Sequence, residues 1–143
     1  MNAPRGTVAA FDPGRNVGYA LVAPDGRRLD AAVLDVADLA GDVVRARLPS
    51  GVHVVVGAGT GAAQVVAALR AAGLAPDLVD EVGTSLEGRA LWRRSVPPRG
   101  LARFWPAGLR APREPIDDYA AWAIALRVVG VSLDAAVAAQ RGT

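Results

Sequence analysis

The sequence predicts an α/β domain built on a five-stranded mixed sheet, a three-strand antiparallel meander followed by two parallel strands, with helices on both faces. Three observations carry this. Apolar, strand-like runs at 7–11, 18–22 and 28–34 succeed one another across turn sequences. Two later apolar runs, 53–56 and 78–79, alternate with segments of helical periodicity, as crossover units do. A length of 143 residues with 52% hydrophobic and 21% charged side chains suits one globular domain spanning 1–143, with apolar side chains enough for a sizeable core.

Each element has a local reason. The first strand runs into Asp12-Pro13-Gly14, a turn signal, and Pro24-Asp25-Gly26 closes the hairpin between the second and third strands. Residues 35–48 place Val36, Leu39, Val43, Val44 and Leu48 near helical spacing, and Pro49-Ser50-Gly51 ends that helix. The 53–56 run is continuous rather than alternating, as in a strand buried on both faces. A helix follows over 61–72 with Val65, Val66 and Leu69 on one face and Gly73 closing it. Thr84-Ser85-Leu86-Glu87 fits a capping box, with Glu87 reaching back, and predicts a helix over 85–93. An Arg- and Pro-rich loop occupies about 93–115. Pro115 then opens a helix over 116–129, with Ile116, Ala120, Ala123 and Arg127 on one face and Tyr119, Trp122 and Leu126 on another. Ser132 caps a last helix over 132–140.

Composition narrows the chemistry. The chain has no Cys, which excludes disulfides, thiolate nucleophiles and iron–sulfur ligation. All sixteen basic residues are Arg, which removes the Walker-type phosphate loop, Schiff-base chemistry and a lysine base. His53 is the single His, so multi-histidine metal sites are impossible, and its place before a strand reads as a rim histidine. Carboxylates remain. No apolar run is long enough to cross a membrane and no signal-peptide pattern opens the chain, so a cytoplasmic protein without a membrane partner is expected.

The net charge of +2 conceals an asymmetry. Residues 1–86 carry seven Arg against nine acids, whereas 88–113 carry seven Arg and no acid. That stretch interleaves Trp92, Phe104 and Trp105 with Arg93, Arg94, Arg99 and Arg103, a pattern suited to nucleic acid, where guanidinium groups hold phosphates and aromatic rings stack on bases. The same aromatics equally suit the task of pinning a long loop to the domain.

Three acidic positions fall where elements begin or end. Asp12 ends the first strand, Glu81 follows the fifth, and Asp117 with Asp118 opens a helix. If strands one, four and five run parallel, their ends share one rim, the usual crevice of open α/β sheets. Carboxylates without His or Cys suit Mg²⁺ or Mn²⁺, hard ions that take oxygen ligands and could activate water for phosphodiester cleavage. Taken singly, each acid is also an ordinary turn, loop or helix-start residue. Gly57-Ala58-Gly59-Thr60-Gly61-Ala62 follows a strand and opens a helix as dinucleotide-binding loops do, but one further strand cannot complete such a fold, and a tight strand-to-helix turn is the simpler reading.

These residues resemble the YqgF family of RuvC-like nucleases, which includes Holliday junction resolvases and pre-16S rRNA-processing nucleases. The likeness spans nearly the whole chain. It rests on Phe11-Asp12-Pro13-Gly14-Arg15 with Gly18-Tyr19-Ala20, Val54-Val55-Val56-Gly57 with Gly59-Thr60, Val79-Asp80-Glu81 with Thr84-Ser85-Leu86-Glu87, and Pro97-Pro98-Arg99-Gly100. Gly108-Leu109-Arg110 and Pro115-Ile116-Asp117-Asp118-Tyr119-Ala120 complete it.

The resemblance implies an RNase H-like (RuvC-like) fold and a nuclease with catalytic, metal-binding carboxylates at Asp12, Glu81 and Asp117, Asp118 being a fourth ligand candidate. It implies Mg²⁺ or Mn²⁺ as cofactor and RNA, branched DNA or single-stranded DNA as partner. Arg15, Arg89, Arg93, Arg94, Arg99, Arg103 and Arg110 are the candidate nucleic-acid contacts. Val82 stands where many members have Arg, and the turn between Asp12 and Gly18 is one residue short of the usual length. RuvC resolvases carry two acids three apart on the last helix, whereas the residue three after Asp117 is Ala120. A RuvC-type resolvase and a catalytically vestigial binding module stay open as alternatives, as does monomer against homodimer.

Overall fold

A computed structural model describes residues 5–80, 87–88, 90–91 and 117–142, apart from the side chains of Val43, Asp117 and Asp118. Strands β1 (Val8–Asp12), β2 (Val17–Val22) and β3 (Arg28–Leu34) form the expected antiparallel meander. Strands β4 (His53–Gly57) and β5 (Asp77–Val79) add in parallel on the other side of β1, giving the order β3-β2-β1-β4-β5. Phe11 pairs with Tyr19 across the antiparallel ladder and with Val56 across the parallel one, so β1 is the central strand.

Strand alternation divides the core in two. Ala9, Phe11, Val17, Tyr19, Val54 and Val56 face one side, where α1 (Val36–Leu39), α2 (Asp42–Arg47) and α3 (Ala62–Ala71) supply Leu39, Val44, Val65 and Leu69. Val8, Ala10, Ala20, Val22 and Val55 face the other, under α4 (Asp117–Val129) and α5 (Leu133–Arg141). Glu87, Gly88, Ala90 and Leu91 are helical, and Leu91 joins this second core. A sheet covered on both faces explains why β1 and β2 read as continuous apolar runs.

Two expectations need correction. The helix expected over 35–48 is two helices, broken at Ala40-Gly41, with extended Gly41 (φ −97°, ψ −177°) starting the second. Leu39 and Val44, five residues apart, would diverge by about 140° on one continuous helix. The break lets both enter the same core. In α4, the expected division into faces fails, because every residue from Ala120 to Leu126 is buried. The helix lies between the sheet, α5 and the 87–91 segment, so no side of it faces water there. Ser132 caps α5 as expected, its Oγ accepting from the Ala135 N–H at 3.2 Å.

Trp122 ties α4 to the β2–β3 hairpin. Its ring is buried and its Nε1–H donates to the Gly26 carbonyl oxygen at 2.9 Å. Gly26 has φ +91°, and a Cβ there would lie 2.7 Å from Val131 Cγ1, so the turn requires glycine on both counts. At the edge strand β3, the Ala31 N–H is occupied by Asp30 Oδ1 at 2.9 Å, which blunts pairing with another chain.

Tyr19 yields a pH prediction. Its side chain is buried in the core beside Phe11 and Val17. Burial first, then the negative charge of Asp30, pushes the phenol well above its usual pKa, with the Arg47 guanidinium acting in the opposite sense. An acid whose folded pKa is raised binds its proton more tightly when folded, so its contribution is intact below the unfolded value near 10.0 and is lost as pH rises beyond it. Urea denaturation at pH 8 and pH 11 should therefore show a smaller alkaline loss of stability in Tyr19→Phe than in wild type. An equal loss in both would locate the alkaline sensitivity elsewhere.

Candidate active site

The parallel arrangement of β1, β4 and β5 puts their C-terminal ends on one rim. Phe11 is level with Val56 and Gly57 is level with Val79, so Asp12, Gly57 and Val79 form a row across three strands. Adjacent strands are about 4.8 Å apart, which puts Val79 about 10 Å from Asp12. The Ala58 N–H donates to the Val79 carbonyl oxygen at 2.8 Å and fixes the turn after β4 to the end of β5. Asp12 is half-buried, the last residue of β1, opposite Gly18 of β2. Alternation along β1 places it on the face of Val8 and Ala10, the face that α4 covers.

Leu126 and Trp122 of α4 meet Gly26, and the Gly26 hairpin follows Val22, which pairs with Val8 at the opposite end of β1. A helix rises about 1.5 Å per residue, so the first described turn of α4 lies on the order of 13 Å from Leu126 along the helix axis. Asp117 and Asp118 stand in that turn. Asp12 thus lies on the face of the sheet that α4 covers.

Glu81, Arg89, Arg93, Arg94, Arg99, Arg103 and Arg110 lie outside the described residues, as does Thr84 of the expected capping box. Arg15 is exposed in the turn after β1. Among the described residues no group of three His, Cys, Asp or Glu side chains could hold a metal ion; Asp12 is the one candidate ligand whose side chain is described. The donor chemistry still fits a hard divalent cation, since the acids named for this rim offer oxygen only and Asp12 is sheltered on one side by the strand it ends.

His53 begins β4 at the far end of the strand from this rim, and its Nε2 meets Asp77 Oδ2 at 2.8 Å, both side chains being exposed. It is a rim histidine, as the sequence suggested. The Gly57–Ala62 segment is a tight strand-to-helix turn, with Gly61 at φ +88° preceding α3.

Ala120, three residues after Asp117, is packed rather than available. It is buried, and a Cβ on Gly88 would lie 2.8 Å from its backbone nitrogen and 2.9 Å from its Cα. The backbone at Gly88 therefore meets that of α4 directly, which only glycine permits.

Sequence reasoning missed Arg127. Its Nη2 donates to Glu87 Oε1 at 2.7 Å and its Nη1 to the Asp80 carbonyl oxygen at 3.5 Å. The Glu87 carboxylate expected to reach back along its own helix is thus engaged by a partner 40 residues away, a separation at which local pattern carries no signal.

Among the described residues no single helix is long and apolar enough to cross a membrane. No protein-family model matches the sequence, and no curated protein does. Among solved structures, the chain is similar to the Thermus thermophilus RuvC structure at 19% identity and a TM-score of 0.50, over 96% of this chain and 97% of that one. It is also similar to T. thermophilus RuvC in complex with Holliday junction substrate, at 22% identity and a TM-score of 0.48, over 96% of both chains. The sheet order, the helices on both faces and the full-length match to the first of these show that the chain has the RuvC-like, RNase H-like α/β fold.

Proposed function

We propose that the protein is a divalent-metal-dependent nuclease acting on structured nucleic acid. The observation that carries the reading is the position of Asp12: half-buried at the end of the central strand, on the face covered by α4, the helix that carries Asp117 and Asp118. Asp12, Glu81 and Asp117, with Asp118 beside them, would hold Mg²⁺ or Mn²⁺. The bound ion supplies an activated water and charge neutralisation at the scissile phosphate. Asp12 stands on a rigid strand, and α4 packs on that strand, so both elements keep their geometry. Arg15, exposed beside Asp12, and the arginines of 88–113 hold the phosphate backbone.

The close packing of Ala120 against Gly88 favours a ligand set that uses Asp117 and Asp118 rather than two acids three apart, and so favours YqgF-like chemistry over the RuvC resolvase scheme. Pre-16S rRNA and branched DNA are accordingly the two substrate classes to compare. The test is a cleavage panel of structured RNA, single-stranded DNA and four-way junctions, with and without Mn²⁺. Metal-dependent cleavage of at least one is expected; salt-sensitive binding with no cleavage on any would leave a binding module in its place.

The basic stretch has its own prediction. Replacing Arg93, Arg94, Arg99 and Arg103 together by Gln should flatten the dependence of log affinity on log salt by up to about one ion per arginine. Fluorescence anisotropy of a labelled substrate across salt concentrations measures it, and an unchanged slope would leave these arginines as ordinary surface.

A further inference from the structure

We infer that Asp30 is a guard residue that keeps β3 from pairing with the β3 strand of a second copy of this chain. Among the described residues β3 pairs with β2 and no strand lies beyond it, so it is an edge of the sheet. It carries two of the three exposed large hydrophobic side chains among the described residues, Leu29 and Val33, each 41% exposed. These stand two positions before and two after Ala31. An antiparallel pair of β3 strands related by a two-fold axis at Ala31 would therefore set Leu29 of each copy opposite Val33 of the other. The strand is self-complementary in that register, which makes a second copy the occupant that fits it.

Asp30 opposes this pairing in two ways. Ala31 is level with Ala20 of β2, yet its N–H turns to Asp30 Oδ1 at 2.9 Å, so the donor at the centre of the register lies on the open side of the strand and is already occupied. Both copies would have to give up that bond before exchanging Ala31 hydrogen bonds with each other. Charge is the second obstacle. Asp30 of one copy would face Ala32 of the other, which leaves the two Asp30 side chains as diagonal neighbours across the axis, about 7–8 Å apart, where like charges repel. Arg47 Nη1 lies 3.7 Å from Asp30 Oδ2 and keeps the carboxylate on its own strand.

Sedimentation velocity of the full chain over a range of concentrations measures self-association, with circular dichroism reporting folding. The Asp30–Arg47 pair is more than one-third exposed on both sides, so its loss should leave the fold intact. Asp30→Ala frees one Ala31 donor in each copy and should raise the association constant about 100-fold above wild type, at about tenfold per interstrand hydrogen bond. Asp30→Asn keeps an acceptor for the Ala31 N–H but drops the charge, and should raise the constant by only about 2–5-fold. Adding Val33→Lys to Asp30→Ala should return it to the wild-type value, because a charge then stands opposite each Leu29. A folded Asp30→Ala that associates no more than wild type would overturn the inference. Association of Asp30→Ala that persists unchanged with Val33→Lys would do the same, since the contact would then lie elsewhere. If Asp30→Ala fails to fold, Asp30→Asn decides the matter, and association equal to wild type in that variant counts against the guard role.

Discussion

Asp12→Asn should lower Mn²⁺-dependent cleavage by about 10³-fold, equivalent to about 4 kcal/mol of lost transition-state stabilisation. The substitution is nearly isosteric, so it should leave the end of β1 and its pairing with Gly18 and β4 in place. What it removes is the charge and one of two anionic oxygens, the properties by which a carboxylate binds a hard cation. Nucleic-acid affinity in metal-free buffer should be unchanged or tighter, because a negative charge beside the phosphate backbone is gone. Loss of cleavage with retained binding is thus the expected pair of results. Equal cleavage by wild type and Asp12→Asn would sink the mechanism, since no other proposed ligand occupies the end of the central strand.

Trp122→Ala should destabilise the fold by about 3–5 kcal/mol, the usual cost of deleting a large buried aromatic ring. Against a total stability of about 5–15 kcal/mol for a domain, that brings the protein close to unfolding at moderate temperature. The ring is buried in the core between α4 and the sheet, its N–H satisfies the Gly26 carbonyl, and the Arg28 guanidinium lies 4.9 Å from its centroid. Trp122→Phe separates these contributions. It keeps most of the apolar volume but leaves the Gly26 carbonyl without its donor, which should account for about 1–3 kcal/mol. Urea denaturation followed by far-ultraviolet circular dichroism measures both without relying on the fluorescence of the residue removed. A loss under about 1 kcal/mol in Trp122→Ala would mean that the hairpin and α4 are held together by other contacts.

Much of the fold was legible because it is local. Turn sequences at Asp12-Pro13-Gly14 and Pro24-Asp25-Gly26 delimit the meander, the continuous Val54-Val55-Val56 run marks a strand covered on both faces, and Ser132 caps its helix. The rim was legible by one further step, since parallel strands one, four and five must end together. The break at Gly41 was not. The apolar residues of 35–48 sit near helical spacing whether or not the helix is continuous, and only the shared core that Leu39 and Val44 enter decides between the two. The faces of α4 failed for a related reason. Apolar Ala and Ile fill any side of a helix buried all round, so periodicity there records composition rather than orientation.

By itself, the sequence determined which chemistry remains possible and where its carboxylates stand along the chain, because residue type and local turn signals need no partner to be read. The absence of Cys and Lys and the single His53 left acids and arginines, and Asp12 ends its strand as local pattern predicts. The tertiary structure alone decided the strand order, the backbone contact of Gly88 with Ala120, the Trp122 bond to Gly26 and the Arg127 bridge to Asp80 and Glu87. Those contacts join residues 32 to 96 positions apart. At such separations, position is fixed by packing of whole elements, and nothing in the neighbourhood of either residue encodes the other.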